Sequence, residues 1–275
     1  MSVIQTLKNN NFKFSKKYGQ NFITDTNFLK SLVELSKISK TDEVLEIGAG
    51  AGTLTRQIAL KCEKLISYEI DTTLETTLTE NLSGLDNAKV IFKDALKTPI
   101  DEIEQNFKAE YSIVANIPYY ITTPLIFKFL EESKRVKSLS LMVQKEVAER
   151  IIAKANSPEY SALSVMIDFY GSAKILKIVS KKMFKPIPKV DSAFVQIVIE
   201  DKYSVNPSVF SDFVKACFSN RRKTLINNIF MSYSIEKNKL EEIFSSNNIS
   251  LQARAENLST QEFVNLCLSL QKLQK

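Results

Sequence analysis

Read for the spacing of apolar positions, the chain divides into two parts. Up to about Lys154, short aliphatic and β-branched runs alternate with segments whose apolar residues recur every three to four positions. The runs Glu43–Ile47, Leu65–Ile70, Lys89–Phe92, Ser112–Ile117 and Leu139–Val143 predict strands. Between them Leu54–Lys61, Thr73–Leu82, Ile100–Phe107, Pro124–Glu132 and Val147–Lys154 predict helices. One further helix, Thr26–Lys37, precedes the first strand, with Asp25 placed to cap it. Such alternation predicts an α/β fold, a Rossmann-like and mostly parallel sheet covered on both faces.

Beyond Lys154 the pattern changes. Leu163–Tyr170, Ile175–Val179 and Ala193–Ile199 read as strands with no long helix between them, which predicts an antiparallel edge on the same sheet. From Pro207 only helical periods remain: Phe210–Phe218, Thr224–Phe230, Lys239–Phe244 and Gln261–Leu270. The polar stretch Asp201–Asn206 marks the boundary. The expected organisation is a ligand-binding domain over 1–203, with 1–20 as a basic N-terminal arm, and a small all-α domain over 204–275.

Composition narrows the chemistry more than the class. The 275 residues include no histidine, so His-based triads, imidazole general bases and His-ligated metals are excluded. Cys62, Cys217 and Cys267 lie far apart within apolar-periodic segments and predict buried thiols; no metal site is expected. No apolar run approaches the ~20 residues of a membrane span, and the polar first twenty residues lack the apolar core of a secretory signal. A cytoplasmic protein with no membrane partner is expected. The net charge of +6 is compatible with a polyanionic partner, so the placement of the cations has to decide.

The segment Val44-Leu45-Glu46-Ile47-Gly48-Ala49-Gly50-Ala51-Gly52-Thr53 ends a strand in glycines and opens a helix. This lets a ligand approach backbone closely at the carboxyl edge of a sheet. The spacing is G-x-G-x-G; a dinucleotide fingerprint would place its third glycine at 53, which is Thr53. Gly48, Gly50 and Gly52 therefore suit a nucleoside cofactor without a pyrophosphate. Glu69 at the end of the second strand can accept from ribose hydroxyls, and Asp94 after the third can accept from a cofactor adenine amine. Singly each is an ordinary strand-end acid; three successive strands ending in suitable groups is a stronger pattern.

The fourth strand runs into Asn116-Ile117-Pro118-Tyr119-Tyr120. This resembles the Asn/Asp/Ser-Pro-Pro-Tyr/Phe type of motif in methyltransferases that act on amino groups. An adenine amine is planar and a poor nucleophile, because its lone pair is delocalised into the ring. Accepting both amine hydrogens, on Asn116 Oδ1 and on the Ile117 or Pro118 carbonyl, favours a tetrahedral nitrogen with its lone pair aimed at the methyl group. Tyr119 can stack on the base. The work is positioning and preorganisation, for which no histidine is needed. A base inside a duplex cannot reach such a pocket, so the target is flipped out or lies in a loop. Phe184, in the proline-stiffened segment Phe184–Ser192, is the candidate second aromatic wall.

These segments, with Tyr18–Ile23, Gln144–Ile151, Phe184–Ser192, Arg221–Leu225 and Arg254–Leu258, resemble the KsgA-type small-subunit ribosomal RNA adenine dimethyltransferases over nearly the whole chain. The resemblance implies a class I methyltransferase fold and S-adenosyl-L-methionine as cofactor. It implies that two adjacent adenosines in the loop of the hairpin near the 3′ end of small-subunit rRNA are dimethylated, four methyl groups in all. The partner implied is rRNA within a pre-mature small subunit late in assembly, met by a monomer. It also implies that Asn21 and Ile23, with Ala95 beside Asp94, join Gly48, Gly50, Gly52, Glu69, Asp94 and Asn116 at the cofactor, while Asn116, Pro118, Tyr119 and Phe184 face the chemistry. Tyr18, Tyr120 and Ser161 depart from the family's pattern, and Tyr120 puts fine substrate preference in question.

Arg221-Arg222-Lys223 stands between two helical segments, and three adjacent cations near a helix start are unfavourable unless phosphate offsets them. Lys185 and Lys189, with Lys181 and Lys182, flank the expected target-base loop; Lys13, Lys16 and Lys17 could add an RNA-contacting arm. Three other readings stay open. One is the large-subunit rRNA adenine dimethyltransferase of the macrolide-resistance type, one a mainly RNA-binding ribosome assembly factor on the same fold, and one a DNA adenine methyltransferase. Arg221–Thr224 and Lys189–Ser192 favour the small-subunit enzyme, and intact Glu69, Asp94 and Asn116 speak against lost chemistry.

Overall fold

A computed structural model describes residues 19–273. The expectations for Tyr18, Lys13, Lys16 and Lys17 fall outside these residues. Two compact units emerge, one of Met1–Ala148 with Lys174–Ile199 and one of Glu149–Ala173 with Glu200–Lys275.

The first unit is built on a seven-stranded sheet. Its strands are β2 (Glu43–Ile47), β3 (Lys64–Glu69), β4 (Ala88–Phe92), β5 (Tyr111–Asn116), β6 (Val136–Gln144), β7 (Gly171–Val179) and β9 (Ser192–Ile199), in the order β4-β3-β2-β5-β6-β9-β7. The pairs β2–β3, β3–β4, β2–β5 and β5–β6 are parallel, whereas β6–β9 is antiparallel. The predicted parallel sheet with an antiparallel edge is therefore present. β2 and β3 are buried along almost their whole length, which explains why they read as continuous apolar runs rather than alternating ones. A separate two-stranded ladder pairs β1 (Phe22–Ile23) with β8 (Phe184–Lys185), Ile23 opposite Phe184.

Helix α1 (Thr26–Leu35) starts where expected: the Asp25 side chain accepts from Phe28 N at 3.0 Å. Its Leu29, Leu32 and Val33 share one core with Val44, Leu65, Val114, Met142 and Phe194 of the sheet. The sheet order reverses between β2 and β5, and at such a switch point the carboxyl ends of adjacent parallel strands leave a crevice. All three cysteines are buried and unpaired, and burial pushes their thiols up.

One element differs in kind from its prediction. Ala162–Tyr170 is a helix, not a strand. Its Leu163, Ser164, Val165, Met166, Ile167 and Phe169 are all buried, and a helix covered on nearly every side shows a continuous apolar run with no helical period to read. A local start signal is present: the Ser161 N–H donates to Ser164 Oγ at 3.1 Å, satisfying a free group at the helix start.

That helix belongs to the second unit, and Phe169 explains why. Its ring stacks on Phe210 at 4.1 Å between centroids and on Tyr203 at 5.5 Å. The helical unit thus recruits Glu149–Ala173 in addition to the segment after the linker, a division that differs from a single cut at 203/204. Its other helices, Pro207–Cys217, Leu225–Tyr233, Lys237–Ser246 and Thr260–Leu273, lie where the periodicity predicts. Asn206 caps the first of them, accepting from Ser208 N and Val209 N ahead of a proline at the first helical position. Among the described residues no helix is long and apolar enough to cross a membrane.

Candidate active site

The carboxyl ends of β2, β3 and β5 and the residues after β4 converge on one cavity in the first unit, about 180 Å³. That is several times the ~30 Å³ share of one water, so the space fits a small organic ligand. Asn21, Ile23, Gly48, Gly50, Glu69, Asp94, Ala95, Asn116, Pro118 and Tyr119 all line it.

The glycine loop is shaped by backbone geometry. Gly48, Gly50 and Gly52 have φ of +84°, +55° and +79°, a region costly for side chains with a Cβ. At Gly50 a Cβ would also fall 2.8 Å from Phe22 Cε1, so Phe22 closes directly over the loop. Gly52 does not line the cavity. A Cβ there would meet Leu78 Cδ2 at 3.2 Å, so its place is the packing of the loop on helix Glu75–Asn81, not ligand contact. This corrects the expectation of a cofactor contact at Gly52.

Glu69 is 6% exposed and held by backbone: Oε2 accepts from Gly50 N, and Oε1 from Ile70 N and Asp71 N, each at 2.8 Å. Burial raises its pKa, while the three N–H groups and the nearby Asp71 charge act in opposite directions. Three of a carboxylate's roughly four lone-pair sites are thereby filled, leaving about one for a ligand hydroxyl. Gripping two ribose hydroxyls would require Glu69 to share or release a backbone bond. Asp71, also buried, takes a 2.7 Å bond from Gln20 Nε2 and so ties the segment before β1 to the end of β3.

Asp94 Oδ1 accepts from Leu96 N at 3.0 Å, which fixes the turn and orients the carboxylate at the cavity. Asn116 ends β5, and its Nδ2 donates to the Asn21 carbonyl at 2.9 Å. With the amide nitrogen committed, Oδ1 is the atom left to accept. The Pro118 carbonyl already accepts from Ile121 N. Tyr119 has its hydroxyl tied to Ser192 Oγ at 2.7 Å, and burial raises its pKa. This bond pins the ring from the start of β9.

Phe184 departs from the role of an aromatic wall. It is fully buried, belongs to the core around Ile23, Leu29 and Met142, and does not line the cavity. Its place opposite Ile23 in the β1–β8 ladder consumes the ring as core. Lys185 and Lys189 are exposed outside the cavity. The residues that sequence reasoning does not single out are Gln20, Phe22, Asp71 and Ser192, which hold the named ones in place. Gln20, Phe22 and Ser192 sit in segments that carry the family resemblance; Asp71 has no signal beyond its position two residues after Glu69.

In the helical unit the three cations are not equivalent. Arg221 Nη2 donates to the Tyr160 carbonyl at 2.9 Å, and Lys223 Nζ rests 2.9 Å from Met231 Sδ. Arg222 is exposed, and its backbone N–H donates to Asn220 Oδ1.

A parallel sheet with a strand-end glycine loop, an acid after each of the next two strands and Asn-Ile-Pro-Tyr at the end of β5 defines a Rossmann-like methyltransferase of the S-adenosylmethionine-dependent class. The cavity fits that cofactor: its glycine loop admits no side chain, and its acceptors suit ribose and adenine. Residues 11–272 match the family model described as ribosomal RNA adenine dimethylase, and the chain belongs to that family as an S-adenosylmethionine-dependent rRNA methyltransferase. It is 39% identical to ribosomal RNA small subunit methyltransferase A of Bacillus pumilus, over 98% of this chain and 95% of the relative. Against the protein of that name from Clostridium botulinum (strain Langeland) the identity is 42%, over 92% of each chain. Among solved structures, a dimethyladenosine transferase from Plasmodium falciparum superposes with a TM-score of 0.75 at 27% identity, covering 91% of this chain and 98% of that one.

Proposed function

We propose that this chain dimethylates the exocyclic N6 amines of two adjacent adenosines in the loop of the 3′-terminal hairpin of small-subunit rRNA. In this reading it acts in the cytoplasm as a monomer on a pre-mature small subunit. The observation that carries the adenine-amine chemistry is the Asn116 amide, locked by the Asn21 carbonyl so that Oδ1 is free to accept. Family membership and the named relatives support the choice of rRNA.

When bound, S-adenosylmethionine supplies the electrophilic methyl group. Glu69 and Asp94 would hold its ribose and adenine, with Gly48, Gly50, Ala95, Asn21 and Ile23 around it. Asn116 Oδ1 takes one amine hydrogen of the target. The Pro118 carbonyl is already engaged, so the Ile117 carbonyl is the better second acceptor. Together they stabilise a tetrahedral nitrogen as charge develops on it. Tyr119, pinned through Ser192, stacks on the flipped base. The methylated nitrogen is acidic and loses its proton to water, which suits a chain without histidine. Lys185, Lys189, Arg222 and Lys223 meet phosphates, and Arg221, with one donor held by the Tyr160 carbonyl, adds a further RNA contact.

The test is to incubate the protein with labelled cofactor and small subunits lacking the modification, then map the methylated nucleotides. Four methyl groups on two adjacent adenosines of the terminal hairpin are expected. Methylation confined to large-subunit rRNA or to DNA would contradict the reading.

A further inference from the structure

Two segments of the helical unit that the chemistry leaves unused, 156–160 and 256–257, meet Arg221 around one polar cleft. Asn156, Ser157, Tyr160, Arg221, Glu256 and Asn257 line it, and its volume is about 270 Å³. The walls are pinned to each other. Asn156 N donates to the Glu256 carbonyl at 2.8 Å, and Asn257 Nδ2 donates to Asn156 Oδ1 at 2.9 Å. The Asn257 Oδ1 accepts from Arg254 N at 2.9 Å, and Arg221 is oriented by the Tyr160 carbonyl. A cleft held this way keeps its shape before a ligand arrives.

Its free groups are specific. The Glu256 carboxylate has no hydrogen-bond or ion-pair partner among the described residues. Beneath these, Ser157 Oγ is buried and without a partner, an orphaned polar group at the wall of the cleft. Arg221 spends one of its five donors on Tyr160 and keeps others.

We infer that this cleft binds the edge of an unpaired guanine base of the RNA substrate, with Glu256 as acceptor and Arg221 as donor. A carboxylate repels phosphate, so its presence in one cleft with Arg221 selects a base edge over the sugar–phosphate backbone. Guanine alone presents two adjacent N–H donors, N1 and N2, to match the two oxygens of a carboxylate, with O6 beside them for a guanidinium. Uracil flanks its single N–H with two carbonyls that a carboxylate repels, and adenine and cytosine place a ring acceptor next to their amine. Such an edge is open only in a loop, bulge or flipped nucleotide. The inference rests on the chain acting on rRNA and adds a base-reading site to it.

The full chain is titrated with unmethylated small ribosomal subunits over a salt series, parent against Glu256→Gln and Ser157→Leu. Ser157→Leu fills the cleft without touching the charge; thermal unfolding confirms that both variants are folded. Each is expected to weaken binding roughly tenfold, the discrimination of one bidentate base contact, with the salt slope unchanged. Electrostatics alone predicts the opposite sign for Glu256→Gln, since it removes a negative charge from an RNA-binding protein. Unchanged or tighter binding with a steeper salt slope would overturn the inference. Subunits carrying 6-thioguanosine should photocrosslink to peptides containing residues 156–160 or 255–257; crosslinking there only from 4-thiouridine would overturn the choice of guanine. If the parent methylates the subunits while Glu256→Gln binds like the parent, this inference fails alone. If the parent neither binds nor methylates them, the functional reading fails.

Discussion

The cavity of the sheet unit and the cleft of the helical unit are built by different means. In the first, backbone dominates. Positive-φ glycines remove side chains, and Glu69 is clasped by three main-chain N–H groups. Asn116, the proposed acceptor of the target amine, is fixed by one side-chain bond to the Asn21 carbonyl. In the second, side chains dominate, and two acceptors, Glu256 and Ser157 Oγ, stand without partners among the described residues. Methyl transfer needs atoms placed to a fraction of an ångström and benefits from main-chain rigidity. RNA capture needs charge and hydrogen-bonding groups that wait for a partner. If the comparison is right, mutations in the two regions separate rate from affinity.

The largest effect belongs to Asn116. Asn116→Ala should lower single-turnover methylation by roughly 10²–10³-fold, the range for losing one preorganised polar partner. Asn116→Asp should be less damaging, since a carboxylate still accepts an amine hydrogen. Next comes Glu69→Ala, which removes the acceptor and releases Gly50, Ile70 and Asp71 together. Calorimetry should show S-adenosylmethionine binding weakened by about tenfold or more, with RNA affinity unchanged; equal cofactor affinity would remove Glu69 from the site.

Smaller effects are expected among the cations. Arg222→Ala with Lys223→Ala should flatten the salt dependence of RNA binding by about 0.7–0.9 log units for each phosphate no longer neutralised. Arg221 is kept in this variant because its bond to Tyr160 gives it a structural share. An unchanged slope would make the pair a solvated face.

The smallest effect on function lies beneath the glycine loop. Glu46 is fully buried, bonded to Ser67 Oγ at 2.7 Å, and burial pushes its carboxyl from 4.5 up to about 8. Below about pH 4.5 the group is protonated folded and unfolded, and its contribution is fully present. Between about 4.5 and 8 the unfolded chain releases a proton that the folded chain keeps, so stability falls as pH rises. Glu46→Gln should remove the share of that slope due to Glu46 and leave the variant more stable than the parent at about pH 8.5 in urea unfolding. A parent whose stability is flat across that window would contradict the assignment.

Much of the fold is legible in the sequence because the relevant signals are local and periodic. Glu43–Ile47 is legible to the residue, and Asp25 marks a helix start through a short-range cap. Leu163–Tyr170 reads as a strand because burial on nearly all sides erases the helical period. At the site, the residues proposed to carry chemistry stand at strand ends, where spacing reveals them. What spacing does not reveal is competition for the same side chain. Phe184 goes to the core and Gly52 to helix packing, decided by neighbours more than twenty residues away. Arg221 reads as one of three equal cations, yet Tyr160, distant in sequence, claims part of it.

The most direct test of the division between rate and affinity is a single titration series. Single-turnover methylation is measured against the concentration of unmethylated small subunits, at saturating cofactor, for the parent, Asn116→Ala and the Arg222→Ala, Lys223→Ala pair. Asn116→Ala is expected to lower the plateau rate by roughly 10²–10³-fold with its half-saturation nearly unchanged. The cation pair should raise the half-saturation and leave the plateau near that of the parent. A normal plateau for Asn116→Ala, or a loss of plateau for the cation pair, would contradict it.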